Sequence, residues 1–222
     1  MKNPNAMYAL SYGLFVLTAQ EGAKDNGCII NTAAQVTTTP NRLTIAVNKS
    51  NFTHDMILRD GRFTLSVLSQ RAPFSVFQHF GFSSGRDTDK FAGYQNAVRG
   101  ENGLFYVTEG TNAYLSCRTV STMDLGSHTL FLADVLDGDV LSGAPSATYA
   151  YYQAHIKPKP QAKPAESGER WVCKVWGRCR RILSARCAST RPLILSVCEN
   201  GWRESEKQLV RGCFSFFPLL RP

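Results

Sequence analysis

Large apolar residues alternate with smaller or polar ones through Leu43-Thr44-Ile45-Ala46-Val47 and again through Phe63-Thr64-Leu65-Ser66-Val67. A period of two is the signature of a strand with one buried face. Residues 12–19 and 28–36 are rich in aromatic and β-branched side chains. They flank a polar stretch with Gly22, Asp25, Asn26 and Gly27, which predicts two strands joined through a turn over residues 20–27. Residues 113–120, 129–140 and 147–152 read as further strands, separated by Gly126, Gly138 and Gly143. Short helices are expected after Asn3-Pro4, from a cap at Ser50 or Asn51 to a stop at Gly61, and over residues 73–80. About seven short strands with short helices in the connections suit an antiparallel barrel better than a parallel α/β sheet. No G-x-G-x-x-G follows a strand and no Walker loop occurs, so a nucleotide would have to be held by other means.

The apolar runs are short, as in Gly13-Leu14-Phe15-Val16-Leu17, far below the roughly 20 residues that span a bilayer. The N-terminus lacks the apolar core of a secretory signal, and a cytoplasmic location is expected. Charge divides the 222 residues more sharply than hydropathy does. Residues 1–156 hold 11 Lys/Arg against 12 Asp/Glu, whereas residues 157–222 hold 14 against 5 and five of the seven cysteines. The basic character therefore belongs to the tail. The proline-spaced stretch from Lys157 to Gly168 reads as an extended linker, which gives a domain at 1–156, a linker at 157–169 and a tail at 170–222.

Three places could carry chemistry. The strand-to-helix junction Val47-Asn48-Lys49-Ser50-Asn51-Phe52-Thr53-His54 gathers a cation, hydroxyls and amides at a helix start, where free N–H groups favour an anion. The alternative is a capped surface turn. The segment Phe80-Gly81-Phe82-Ser83-Ser84-Gly85-Arg86-Asp87-Thr88-Asp89-Lys90-Phe91 is either a loop that closes on an aromatic ligand or a solvated loop with local ion pairs. His128 opens a strand, where a lone histidine is more often structural than catalytic. No G-x-S-x-G elbow and no H-x-x-H pair exist, so acyl transfer and a metal site in the body have no support.

Read together, Leu10-Ser-Tyr-Gly-Leu-Phe-Val16, Asp25-Asn-Gly-Cys-Ile-Ile-Asn-Thr32, Asn48-Lys-Ser-Asn-Phe-Thr-His-Asp55, Gly61-Arg-Phe-Thr-Leu-Ser-Val-Leu68, the 80–91 loop and Gly126-Ser-His-Thr-Leu-Phe131 resemble the flavin reductase-like, FMN-binding split-barrel family. Within it, the likeness is to the flavin domains of high-molecular-weight rubredoxins. The resemblance implies a mainly β protein, a six-stranded antiparallel split β-barrel with short helices, dimeric, with FMN near the subunit interface. It implies that Asn31, Thr32 and Ala33 meet the flavin ring and ribityl chain, and that Asn48, Lys49, Ser50, Asn51 and Thr53 hold the phosphate with Arg86 and Lys90 adding charge. His128 falls in the family's Gly-Asp-His motif near the ring and the nicotinamide donor, although Ser127 replaces the Asp and Ala133 stands where Gly is usual.

The implied activity is NAD(P)H-dependent reduction of FMN with electrons passed on to rubredoxin or a flavodiiron protein. The alternative is a flavin-binding carrier that does not use NAD(P)H. The resembling proteins continue into a rubredoxin domain, which needs two C-x-x-C pairs. Here Arg170-Trp-Val-Cys173-Lys-Val-Trp176 starts that pattern and puts Trp176 in place of the second Cys, and none of Cys179, Cys187, Cys198 and Cys213 restores a pair. A reading-frame shift after Val175, no iron site and a poorly ordered tail are expected. Its arginines have the charge of a nucleic-acid arm and no recognisable binding motif.

Overall fold

A computed structural model describes residues 2–159. The expectations for the tail, its missing iron site and its frame, and nearly all of the linker, lie outside the described residues. A short 3-10 turn, Pro4–Ala9, precedes the sheet. The strands are β1 (Phe15–Glu21), β2 (Lys24–Ile30), β3 (Ala34–Thr38), β4 (Asn41–Asn48), β5 (Arg62–Leu68), β6 (Ala97–Arg99), β7 (Phe105–Val107), β8 (Thr111–Asp124) and β9 (His128–Val140). Helices α1 (Phe52–Asp60) and α2 (Phe74–Gly81) fill connections, and α3 (Tyr149–Tyr151) runs into a π-helical turn, Tyr152–Ile156.

Seven strands form one antiparallel sheet in the order β2-β1-β5-β8-β9-β4-β3, and β6 and β7 form a separate hairpin. β2 and β3 lie at opposite edges, yet only residues 31–33 connect them. Seven strands laid flat would put the edges about 29 Å apart at 4.8 Å per pair. Four peptide steps reach at most about 14 Å. The sheet must therefore curl until its edges nearly meet. Thr32 bridges the gap: its hydroxyl donates to the Ala46 carbonyl on β4 (2.6 Å) and accepts the Ala46 N–H (3.2 Å). This is the expected split barrel with one strand more than the expected six.

The period-two pattern fills the barrel. Leu43, Ile45 and Val47 of β4, Phe63 and Leu65 of β5, and Leu17 and Ala19 of β1 meet Phe131 of β9 and Met56 and Ile57 of α1 in one core. β1 is also buried on its other face, where Val16 joins Leu68, Phe77, Phe80 and Val107 in a second cluster. The polar side chains on that face are used by the hairpin. Thr18 donates to the Phe105 carbonyl, Ser66 accepts the Val107 N–H and Thr64 accepts from Asn102.

Three sequence expectations need correction. The strand expected at residues 28–36 is broken at 31–33, and its two halves serve opposite edges. The turn expected over residues 20–27 is confined to Gly22 and Ala23, so Lys24 to Gly27 already belong to β2. Residues 147–152, expected as a strand, turn helical, because Thr148 caps the turn by accepting the Tyr151 N–H and Tyr152 packs on Phe77 at 4.5 Å between ring centroids. The β6–β7 hairpin was signalled by Asn102-Gly103 between apolar alternations, a turn pair that is easily passed over when the strands are three residues long.

Candidate functional site

Where β2, the start of α1 and the end of α2 converge, they enclose a cleft of about 460 Å³, within the size range of small-molecule sites. β2 supplies Asn26, Cys28 and Ile29, the α1 start supplies Ser50 to Thr53, and α2 and the loop after it supply Phe80 to Gly85, Asp87 and Lys90.

The α1 end is built to stay open. Asn48 stabilises the preceding turn by accepting the Ser50 N–H on its side-chain oxygen (2.8 Å) and the Asn51 N–H on its carbonyl (3.0 Å). Asn51 is the N-cap residue, in extended conformation, and makes no side-chain cap bond. The His54 N–H is taken by the Asn51 carbonyl (3.1 Å), which leaves the N–H groups of Phe52 and Thr53 and the positive end of the helix dipole beside Ser50 and Asn51, an anion-binding geometry.

The opposite wall is held by a buried cation. Lys90 is 2% exposed and donates to the carbonyls of Gly27 (2.7 Å) and Phe80 (3.0 Å), tying β2 to α2. His79 fixes the Lys90 backbone in turn: its Nε2–H donates to the Lys90 carbonyl (2.6 Å), and its ring stacks on Tyr94 at 4.8 Å. Burial pushes the Cys28 thiol up, with the Thr53 hydroxyl bond and the Lys90 charge opposing that shift.

Asn26 stands out. It is 2% exposed, its Nδ2 donates to Thr53 Oγ1 (2.8 Å), and its buried Oδ1 has no hydrogen-bond partner among the described residues. An unsatisfied buried amide oxygen costs about 1 to 3 kcal/mol. Gly85 lies directly on this amide: a Cβ there would fall 2.0 Å from Oδ1.

Of the residues expected at the site, Ser50, Asn51, Thr53 and Lys90 share this cleft. Asn48 acts through the turn geometry just described. Lys49 points elsewhere, its ammonium 2.7 Å from Asp124 Oδ1 at the far end of β8. Arg86 sits at the rim, 3.2 Å from Asp55 Oδ2 and over the Phe52 ring at 5.0 Å; Lys24 approaches the same ring at 4.9 Å. Asn31, Thr32 and Ala33 form the link across the barrel gap. Along β2, Asn31 is five residues from Asn26, about 17 Å at strand spacing.

His128 faces Asn48 across the β4–β9 pairing and is 6% exposed; Ser127 Oγ lies 2.8 Å from its Nδ1. Burial lowers its pKa from 6.5, with the neighbouring His54 adding to the effect, and the imidazole is neutral at pH 7. His54 links α1 to β9. Its Nδ1 lies 2.9 Å from Asp55 Oδ1 and its Nε2 2.8 Å from the Thr129 hydroxyl. The bond from His54, followed by that from Arg86, holds the Asp55 carboxyl below its usual value.

The sequence reading missed Asn26, Cys28 and Gly85. Asn26 reads as a turn residue because Asp25 and Gly27 flank it, and no apolar alternation marks Lys24 to Gly27 as strand. Among the described residues no group of three or more His, Cys, Asp or Glu could hold a metal, and no helix is long and apolar enough to cross a membrane.

Residues 7–159 match the model of the Flavin reductase like domain. The chain is 42% identical over 147 residues to the high molecular weight rubredoxin of Moorella thermoacetica, an alignment covering 66% of this chain and 64% of that protein. It is 34% identical over 154 residues to the ferric-chelate reductase (NAD(P)H) of Archaeoglobus fulgidus, covering 69% of this chain and 90% of the relative. Among solved structures, the FMN-binding protein from Thermus thermophilus superposes with a TM-score of 0.56 at 21% identity, over 64% of this chain and 77% of that one. The NADH:FAD oxidoreductase SgcE6 of Streptomyces globisporus superposes with a TM-score of 0.57 at 22% identity, over 66% and 90%.

Proposed function

Because the chain belongs to the flavin reductase-like domain family, and is an oxidoreductase of that kind, we propose that it binds FMN with the phosphate at the start of α1 and reduces it with NAD(P)H. The observation that carries this reading is the uncapped α1 terminus opening on a cleft that also holds an unsatisfied amide. These donors and acceptors fit a phosphorylated polyol. Ser50, Asn51 and the N–H groups of Phe52 and Thr53 bind the phosphate, and the Lys90 ammonium in the facing wall contributes favourable potential. Thr53 holds Asn26 in place. Asn31 lies about 17 Å from Asn26 at strand spacing, a separation that suits a ligand with a phosphate at one end and a ring at the other.

Bound flavin supplies the hydride-accepting ring and the ability to hand electrons on. The chain's own residues bind, orient and shield. Backbone N–H groups at residues 31–34 would be the donors to the ring edge where negative charge accumulates. His128, kept neutral by burial, would add no positive charge near a bound nicotinamide. Arg86 and Lys24, gathered around the Phe52 ring, provide a cationic rim.

The likeness to a high molecular weight rubredoxin supports an onward acceptor of rubredoxin or flavodiiron type. Val120 and Met123 on the far half of β8 are exposed, which supports burial of that half-strand in a homodimer. We place the protein in the cytoplasm. To test the activity, the purified chain is loaded with FMN and mixed anaerobically with NADH or NADPH. The visible flavin absorption should bleach within the mixing period. A bound flavin unchanged by either nucleotide would leave a carrier and remove the reductase.

A further inference from the structure

We propose that Asn26 is a ligand-binding residue whose side-chain oxygen accepts a hydroxyl of the polyol chain, and that it thereby selects the flavin's ribityl segment independently of the phosphate. This rests on the flavin reading above.

Three observations converge on it. First, the amide is buried and its Oδ1 has no partner among the described residues, although it sits in the wall of the cleft. Buried acceptors are nearly always satisfied, and one that is not marks a place where a donor belongs. Second, its orientation is fixed from behind. Its Nδ2 donates to Thr53 Oγ1 (2.8 Å), and Gly85 packs against the opposite, Oδ1 side. The amide is therefore held with nitrogen inward and oxygen toward Gly85. Third, Thr53 lies in the first turn of α1, so the acceptor is one side chain away from the anion-binding terminus. A phosphate seated there brings the carbon chain next to it within reach of Asn26, and that chain carries hydroxyl donors.

Gly85 completes the arrangement. The loop rests its bare Cα on the amide, and no larger residue fits unless Asn26 moves. Entry of a hydroxyl donor must lift this loop at Gly85, so ligand binding exchanges a carbon contact for a hydrogen bond. The loop then lies over the polyol, with Lys90 still anchoring its far end to Gly27 and Phe80.

The test uses three ligands that differ only in the chain: FMN, riboflavin, which lacks the phosphate, and lumiflavin, which has the ring without the polyol. Their dissociation constants are measured by flavin fluorescence with the full chain and with Asn26→Leu and Asn26→Asp. Asn26→Leu should weaken FMN and riboflavin alike, by about tenfold, the loss of one hydrogen bond to a buried acceptor, and leave lumiflavin unchanged. Asn26→Asp keeps the shape and an acceptor, so it should restore riboflavin binding toward the unmutated value while still weakening FMN through repulsion of the phosphate. A loss confined to FMN in Asn26→Leu would mean that the amide serves the phosphate, and would overturn the proposal. An equal loss of all three ligands would reduce Asn26 to a structural part, and unchanged affinities would remove it from the site. Failure of the unmutated chain to bind any of the three would instead overturn the flavin reading itself.

Discussion

Two titrating residues respond to acid at different pH values. Asp55 has its folded pKa held below 3.8, first by the bond from His54 and then by Arg86. A carboxyl with a depressed folded value contributes stability that is complete above the unfolded pKa and disappears as pH falls through the folded one. His128 has its pKa lowered from 6.5 by burial. Its neutral form is favoured in the folded state, so its contribution is complete above pH 6.5 and declines as pH drops below that value. Urea midpoints measured against pH should therefore show two descents. His128→Asn flattens the one that begins near neutrality, Asp55→Asn flattens the one below the ordinary carboxylate range, and NMR titration places the His128 midpoint below 6.5. A His128 midpoint at or above that value would contradict the burial account. What the sequence could say about single residues stopped at spacing. Lys49 beside a helix start reads as an anion ligand, and only the fold brings Asp124, 75 positions away, to its ammonium. Asn26 reads as a turn residue until β2 is seen to begin at Lys24.

At the scale of elements, local chemistry was legible wherever an element ends on a strong signal. Gly61 stops α1 in the left-handed region, φ 74°, with its N–H bonded to the Ile57 carbonyl (2.8 Å), as the Gly after the apolar run indicated. Nothing lies near a Cβ added there, whereas at Gly110, φ 69°, a Cβ would fall 2.5 Å from the Ala72 Cα. Gly61→Ala should therefore cost only backbone strain, about 1 kcal/mol. Gly110→Ala should cost about 2 to 4 kcal/mol, because strain and overpacking add. Denaturant unfolding of the two variants checks the ranking, and equal losses would contradict it. Elements decided by tertiary contact were illegible. The tyrosines at 149, 151 and 152 carry strand propensity, and the packing of Tyr152 on Phe77 overrides it. Across residues 28–36 the chain leaves one sheet edge for the other at Asn31-Thr32, polar residues that a strand with one solvated face also carries, so the sequence does not mark the crossing.

For the whole molecule, the antiparallel barrel followed from strand count and spacing, whereas its closure could not. Closure is a property of strand order, and order depends on pairings 46 to 92 residues apart, such as Thr18 with Thr64 and Arg42 with Asp134. The weakest part of the closed sheet is β3, whose five residues are all exposed and which, among the described residues, pairs with β4 alone. Amide exchange should accordingly be faster along Ala34–Thr38 than along β1 or β5, measured by mass spectrometry on the full chain, and protection of β3 equal to that of β1 would refute this ranking.

The three-residue link between the edges has a mechanical consequence. Asn31, Thr32 and Ala33 are at once the rivet of the barrel and the segment assigned to the flavin ring, so gripping the cofactor and keeping the cylinder shut become a single cooperative event. Adding flavin should then slow hydrogen exchange in β3, on the side away from the phosphate, as a cork tightens the staves around it.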